Sequence, residues 1–341
     1  MKIHVLRSGL RAMALACAVF FGVTVTPGRA QLVYVDSKFI GNPNNTANTG
    51  GLGAVSYTYY MSTYEVTVSQ YATFLNAVAT LSGNVYITSL YNSNMDTESN
   101  RLIQRSGSGT AETPYSYTVL NSNGQKPITY VDWFSAARFA NWMNNGALAS
   151  SSTETGAYTL NGATTGNTFT TQGGATWWIP SENEWYKAAY YKGGSTTAGY
   201  YLYPTSSDST PGSTVGSQSN QANFSNGMQS INQTTPVGSF TGSASPYGTF
   251  DMGGNVYEWT SQPVNAADYE IYGGAWNVLA GSMQNTNFGE PPSTTYANNI
   301  GFRLATSIPE PSVLVMVIPS VLFGALWLRR MKSRRLNNAG A

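Results

Sequence analysis

Short apolar blocks alternate with long polar stretches along the chain. Gly41–Gly53, Ser82–Gly124, Gly146–Gly174 and Gly193–Asn220 are rich in Ser, Thr, Gly and Asn, which predicts long surface loops or insertions. Between them the patterns are clear. Val55–Val66, rich in Tyr, Val and Thr, reads as a strand. Thr67 can cap the helix that follows, where Tyr71, Phe74, Leu75 and Val78 recur at i, i+3, i+4 and i+7 on one face. Asp132 is placed to cap a second helix, with Trp133, Ala136, Ala137, Ala140 and Met143 along one side and Gly146 just past its end. Ser181 and Glu184 form a capping box at the head of a third, whose Trp185, Ala188 and Ala189 point inward. After Asn223 the pattern becomes short strands and tight turns: Thr235–Phe240, Phe250–Trp259, Ile271–Trp276 and Gly301–Ala305. Few short helices, many short strands and long loops predict an α+β domain. No internal repeat interrupts it.

The ends have a different character. Lys2, Arg7 and Arg11 precede the apolar run Met13–Val25, and Gly28-Arg29-Ala30 offers small residues before a cut at Gln31. Residues 1–30 therefore read as a secretory signal peptide. At the other end Ile308-Pro309-Glu310-Pro311-Ser312 leads into the apolar run Val313–Leu328 and then into five basic residues, Arg329 to Arg335. Pro-Glu-Pro, a hydrophobic stretch and a basic end together resemble the PEP-CTERM sorting signal. That resemblance implies an exosortase-type partner and at least transient membrane anchoring at the cell envelope. The predicted layout is signal peptide 1–30, domain 31–308, sorting or transmembrane segment 309–335 and tail 336–341.

Charge and composition sharpen this picture. The formal total of +1 hides an asymmetry. Four basic residues lie in 1–30 and five in 329–335, which leaves eight against 16 acids and a body near −8. That sign excludes a nucleic-acid footprint. His4 and Cys17, the one histidine and one cysteine, both fall in the predicted signal peptide. A body without His or Cys excludes disulfides, zinc fingers, iron–sulfur clusters, a cysteine nucleophile and a Ser-His-Asp triad. Glu65, Asp132, Glu182 and Glu184 could be posed as acid/base pairs, but Asp132 and Glu184 already have capping roles. The seven tryptophans at 133, 142, 177, 178, 185, 259 and 276 read mainly as core.

Six segments then occur in a telling order. Tyr64-Glu65-Val66-Thr67 with Gln70–Asn76 comes first, followed by Pro127–Trp133 with Ala136 and Ala137, and by Ile179-Pro180-Ser181-Glu182-Asn183-Glu184-Trp185. Asp251-Met252-Gly253-Gly254-Asn255-Val256-Tyr257-Glu258-Trp259, Gly273-Gly274-Ala275-Trp276 and Gly301-Phe302-Arg303 complete the set. Together, over a motif core of residues 55–306, they resemble the formylglycine-generating enzyme family, also called the sulfatase-modifying factor domain. The resemblance implies a C-type-lectin-like fold.

The family's chemistry does not carry over with the fold. Its formylglycine generators hold copper(I) between two cysteines, whose places fall near Val278 and Met283 here. Soft copper(I) needs thiolate or thioether ligands, and a lone methionine cannot replace a thiolate pair. The ergothioneine-type relatives hold iron through histidines, which the body lacks. Neither copper nor iron is expected, and no catalytic residue is assigned. The family's structural calcium maps onto Asp251, Gly254, Val256 and Glu258, with a second site beginning at Asn223 and Phe224 whose later carboxylate has no counterpart. The competing reading of Glu258 is an ion pair with Arg303 or a lysine. The expected function is a non-catalytic binding or display module whose ligand, glycan or protein, meets the polar segment Asn277–Asn299, which carries Asn285, Asn287 and Tyr296. The alternative is a family-type oxidoreductase acting through an unrecognised site.

Overall fold

The computed structural model describes residues 33–82, 89–97, 101–225 and 231–307. The predicted signal peptide and sorting segment lie outside these residues. Among the described residues no helix is long and apolar enough to cross a membrane.

The fold is α+β and loop-rich, as the pattern predicts. Helix α1 (Val68–Val78) starts at Thr67, whose hydroxyl accepts from the Gln70 N–H while the Gln70 side chain caps Thr67 in return. Helix α2 (Asn94–Thr97) is a single turn. Helix α3 (Trp133–Asn144) starts at Asp132, whose carboxylate accepts from the Ser135 N–H at 2.7 Å. Helix α4 (Glu182–Tyr190) has the predicted Ser181–Glu184 capping box. Each cap satisfies orphan donors of a first helical turn, so all three longer helices begin where the sequence places them.

Strands β1 (Ser37–Ile40), β2 (Tyr59–Ser62), β3 (Ile103–Ser106), β4 (Ser116–Val119) and β5 (Trp177–Trp178) are followed by β6 (Tyr257–Pro263), β7 (Tyr269–Tyr272), β8 (Ile300–Gly301) and β9 (Ala305–Thr306). They form a four-stranded sheet in the order β1-β2-β9-β5, a β3-β4 hairpin and a three-stranded sheet in the order β7-β6-β8. Strand β9 is antiparallel to both its neighbours, whereas β8 runs parallel to β6.

Several sequence-based spans shorten. Strand β2 covers only part of Val55–Val66, and no strand forms at Thr235–Phe240. Within Phe250–Trp259, Asp251, Gly254 and Asn255 all take positive φ, so extended pairing begins only at Tyr257. Gly273 and Gly274, also at positive φ, end β7. A side chain at 254 would collide with the Asn223 carbonyl as well, so glycine is needed there twice over.

Two of the presumed surface loops prove to be structure. Ser82–Gly124 contains the β3-β4 hairpin, clamped to α1 by Asn76, which donates to Tyr117 O and accepts from Tyr117 N. Gly146–Gly174 wraps α3. Eleven of its twelve residues are buried rather than one face, including Arg138, which pairs with Glu154, and Asn141, which donates to Thr153 O and Tyr158 O. The insertion contributes Ala157, Tyr158 and Leu160 to the core. Tryptophans 133, 142, 177, 178, 185 and 259 are buried, and Trp133 stacks on Tyr269 with ring centroids 4.1 Å apart.

One ion pair joins the two larger sheets. Gly301–Ala305 is not one strand: β8 ends at Gly301, β9 starts at Ala305, and Phe302-Arg303-Leu304 crosses between sheets. Arg303 is fully buried and grips Glu258 on β6 with both guanidinium edges, Nε to Oε2 at 2.5 Å and Nη2 to Oε1 at 2.6 Å. Its remaining donors reach Ser62 O on β2 at 3.0 Å and Phe250 O at 2.9 Å. The Trp185 indole on α4 donates to Glu258 Oε2 at 2.6 Å. Burial opposes the arginine charge, but Glu258, Glu65 and Asp251 together outweigh burial, Glu258 foremost, and raise the Arg303 pKa. Removing one partner strands a charge in the core. Arg303→Met is therefore expected to lower unfolding free energy by about 3–5 kcal/mol in denaturant titration. Adding Glu258→Gln should recover part of the loss, and a double variant no more stable than the single would contradict this account.

Candidate functional site

The segment after β7 carries the positions that the resemblance singles out. Gly273 and Gly274 turn the chain into a 3-10 turn at Ala280–Met283, and the loop then returns along β7 through an isolated bridge between Ile271 and Gly289. The positions near which the resemblance puts the copper ligands, Val278 and Met283, lie just before this turn and at its end. Met283 is fully buried in a small cluster with Tyr203, Ala222 and Phe224. A Cβ built on Gly274 would sit 3.0 Å from Met283 Cγ, and Tyr190 donates its hydroxyl to Met283 O at 3.0 Å. The space is thus packed with thioether and aromatic carbon. Val278 is half-buried, and its N–H and C=O pair with Ala275 O and Ser225 N.

Outside this plug lies a shallow cavity of about 360 Å³, lined by Tyr257, Leu279, Gly281, Ser282, Asn287 and Phe288. Leu279 is 70% exposed and Phe288 45%, and the Phe288 ring stacks on Tyr272 at 5.7 Å. The polar residues that the sequence suggested as contacts have structural duties. Asn285 donates to Tyr201 O, Asn287 to Gly281 O, and Tyr296 lies against Asp132. Sequence reasoning missed Leu279 and Phe288, because an isolated apolar residue in a polar loop carries no signal of its exposure.

The calcium candidates fall in two environments. Asp251, Gly254, Val256 and Glu258 share one chain path, but Glu258 is already engaged by Arg303 and Trp185 on both oxygens. An ion there competes with an internal guanidinium for the same carboxylate. Asp251 accepts from the Gly238 N–H at 2.5 Å, and burial pushes its carboxyl up to about 6 against that bond and Arg303. Nearby, Glu65 accepts from Asn255 Nδ2 at 3.0 Å, while burial first and Asp251 second raise it well above the usual carboxylate range. At the second candidate, Asn223 donates to Gln233 O and Asn255 Oδ1, yet among the described residues its own buried Oδ1 has no hydrogen-bond partner. Of the two candidates, Glu258 has both oxygens engaged, whereas Asn223 keeps an unpaired amide oxygen, a hard donor of the kind calcium takes. Among the described residues no three His, Cys, Asp or Glu side chains converge as a metal cluster.

The other acids divide by role. Glu184 accepts from Tyr57, Trp178 and Ser181, and Asp132 serves as a cap. Glu182 instead accepts from the Tyr272 hydroxyl at 2.6 Å and lies beside Glu270, a residue the sequence did not single out.

Comparison with known proteins agrees with this architecture. A bovine (Bos taurus) protein named inactive C-alpha-formylglycine-generating enzyme 2 is 29% identical over 142 residues, which are 39% of this chain and 45% of that protein. The chain thus aligns with less than half the length of this curated relative. The crystal structure of CarF superposes with a TM-score of 0.53 at 18% identity, covering 81% of this chain and all of that one. Treponema denticola variable protein 1 gives a TM-score of 0.48 at 17% identity, covering 82% of this chain and 97% of that one. The sulfatase-modifying factor enzyme 1-like domain family matches residues 24–308, and the chain belongs to that family.

Proposed function

We propose that this chain is a non-catalytic member of its family, exported and sorted to the cell envelope, that binds a glycan or protein ligand through Asn277–Asn299. The observation that carries the reading is Met283. Where the resemblance implies a thiolate, the chain buries a thioether among Tyr203, Ala222 and Phe224. No cysteine or histidine lies in 31–341 to supply soft or imidazole ligands from elsewhere. The curated relative described above is itself named inactive. The surface beside the plug keeps two exposed apolar side chains on a loop fastened to a rigid body, an arrangement suited to recognition.

The decisive assay incubates the purified full-length chain with copper, oxygen and a cysteine-containing sulfatase peptide. No formylglycine above a metal-only control is expected, and turnover would establish the oxidoreductase alternative. For binding, Leu279→Ala with Phe288→Ala is expected to abolish capture of a partner found on glycan and protein arrays, with little change in melting temperature because both side chains are exposed. Capture unaffected by the pair would move the ligand away from this surface.

Calcium belongs to the same proposal, with Asn223 Oδ1 and the Phe224 carbonyl as its first donors. An ion bound by the folded state alone stabilises it. Chelation is expected to lower the melting temperature and calcium add-back to restore it, with Asn223→Ala insensitive to both. An unchanged melting curve for the parent chain would remove the ion.

A further inference from the structure

Beside the exposed Phe288 ring the surface carries a group of acids with no basic partner. Glu270 and Tyr272 are two apart on β7 and share a face, and Glu182 enters from the first turn of α4. Glu290 joins from the loop returning along β7, two residues beyond Phe288. Among the described residues none of these three carboxylates takes part in an ion pair. Glu182 is supported locally. It sits at the positive end of the α4 dipole and accepts from the Tyr272 hydroxyl. Glu270 lacks the helix dipole, and the Tyr272 side chain only partly offsets its burial. It is nine-tenths buried, and its Oε2 has no hydrogen-bond donor.

A carboxylate in that position requires either a proton or a cation. We propose that Glu182, Glu270 and Glu290, together with the Phe288 ring, form the receptor for a cationic arginine or lysine side chain of a polypeptide partner. This names the ligand class of the surface proposed above and rests on that reading. The chemistry is complementary on both sides. A guanidinium or ammonium can lie against an aromatic face while its N–H groups meet the carboxylates. Phe288, backed by Tyr272, provides the ring, Glu290 an exposed acid at the rim, and Glu270 the buried oxygen that still lacks a donor.

Proton linkage gives the site a signature. Burial, then the charge of Glu182 and a hydrogen bond to it, with a smaller contribution from Glu290, push the Glu270 carboxyl up to about 8 against the Tyr272 side chain. At neutral pH the free domain thus holds a proton that an incoming cation displaces. Below about pH 8 affinity should fall up to about tenfold per pH unit, and binding should release close to one proton. The groups facing Glu270 are Glu182 from α4, Tyr272 from its own strand and Glu290 from the returning loop, so no neighbouring base supplies a competing titration.

The test titrates the full-length chain calorimetrically with tetra-arginine and tetra-lysine. Tetra-citrulline serves as the uncharged counterpart, and buffers of different ionisation enthalpy count the protons. Support requires binding of both cationic peptides but not of tetra-citrulline, with proton release at pH 7. It also requires at least about a tenfold affinity loss in Glu270→Gln with Glu290→Gln, and no loss in the remote, exposed Glu112→Gln. Glu270→Gln imitates the protonated acid and should keep the fold. It should also remove the decline in stability between about pH 4.5 and 8, where the folded state holds a proton that the unfolded chain has lost. Equal binding by all variants would mean diffuse attraction to an acidic body and overturn the proposal. So would an absence of binding, or binding without proton release. Failure here with an array partner still lost in the Leu279/Phe288 variant would retain the recognition surface and reject only its cationic ligand.

Discussion

The buried pair of Arg303 and Glu258 ties the two larger sheets together. Arg303 and Glu258 each lie in the core, and between them they contact β2, β6, the Phe250 carbonyl and α4 through Trp185. With so little regular secondary structure, the two larger sheets share no ladder, so the crossing at Phe302-Arg303-Leu304 must hold them in register. The pair is suited to this because every donor has a direction. A guanidinium fork satisfied by a carboxylate and carbonyls accepts one arrangement of its neighbours, whereas apolar packing accepts several. Its contribution lies in specifying that arrangement as much as in net stability.

That constraint also explains why the loop after β7 can be irregular. The strand that carries Glu258 is fixed, Gly273 and Gly274 turn the chain, and Met283 anchors the far end of the turn in a separate apolar cluster. Leu279 and Phe288 then project from a segment held at both ends. The buried acids follow the same logic. Glu65, Asp251 and Glu258 gather around Arg303, so the core there carries more acid than base, and burial raises Glu65 and Asp251 as the compensation. Glu182 and Glu270 form a second acidic group beside Phe288, and among the described residues neither takes part in an ion pair.

Much of this was legible in the sequence, and the boundary has physical causes. Caps are local, so Thr67, Asp132 and Ser181 place three helices correctly. Motif order gives the family and hence the fold. Strand lengths fail where a residue other than glycine adopts positive φ, as Asp251 and Asn255 do, since nothing local in their identity demands it. The insertion at Gly146–Gly174 reads as loop because its composition is polar, yet it supplies both the shell of α3 and the partner of Arg138. The pairing of Glu258 with Arg303 stood in the sequence as one of two readings. The unanswered oxygen of Glu270 did not stand there at all, because it depends on what long-range packing brings near and what it leaves out.

Strand β9 has a mechanical consequence. It is bonded on both edges, to β2 and to β5, and it begins two residues after Arg303. The chain beyond Ser307 therefore leaves from an interior strand of the sheet and not from a frayed edge. Tension applied to that end would load the flanking hydrogen bonds in shear together and pass next to the arginine clamp. A load on this end would meet a strand bonded on both sides, and the loop carrying Leu279 and Phe288, beside the other sheet, would lie off the line of force.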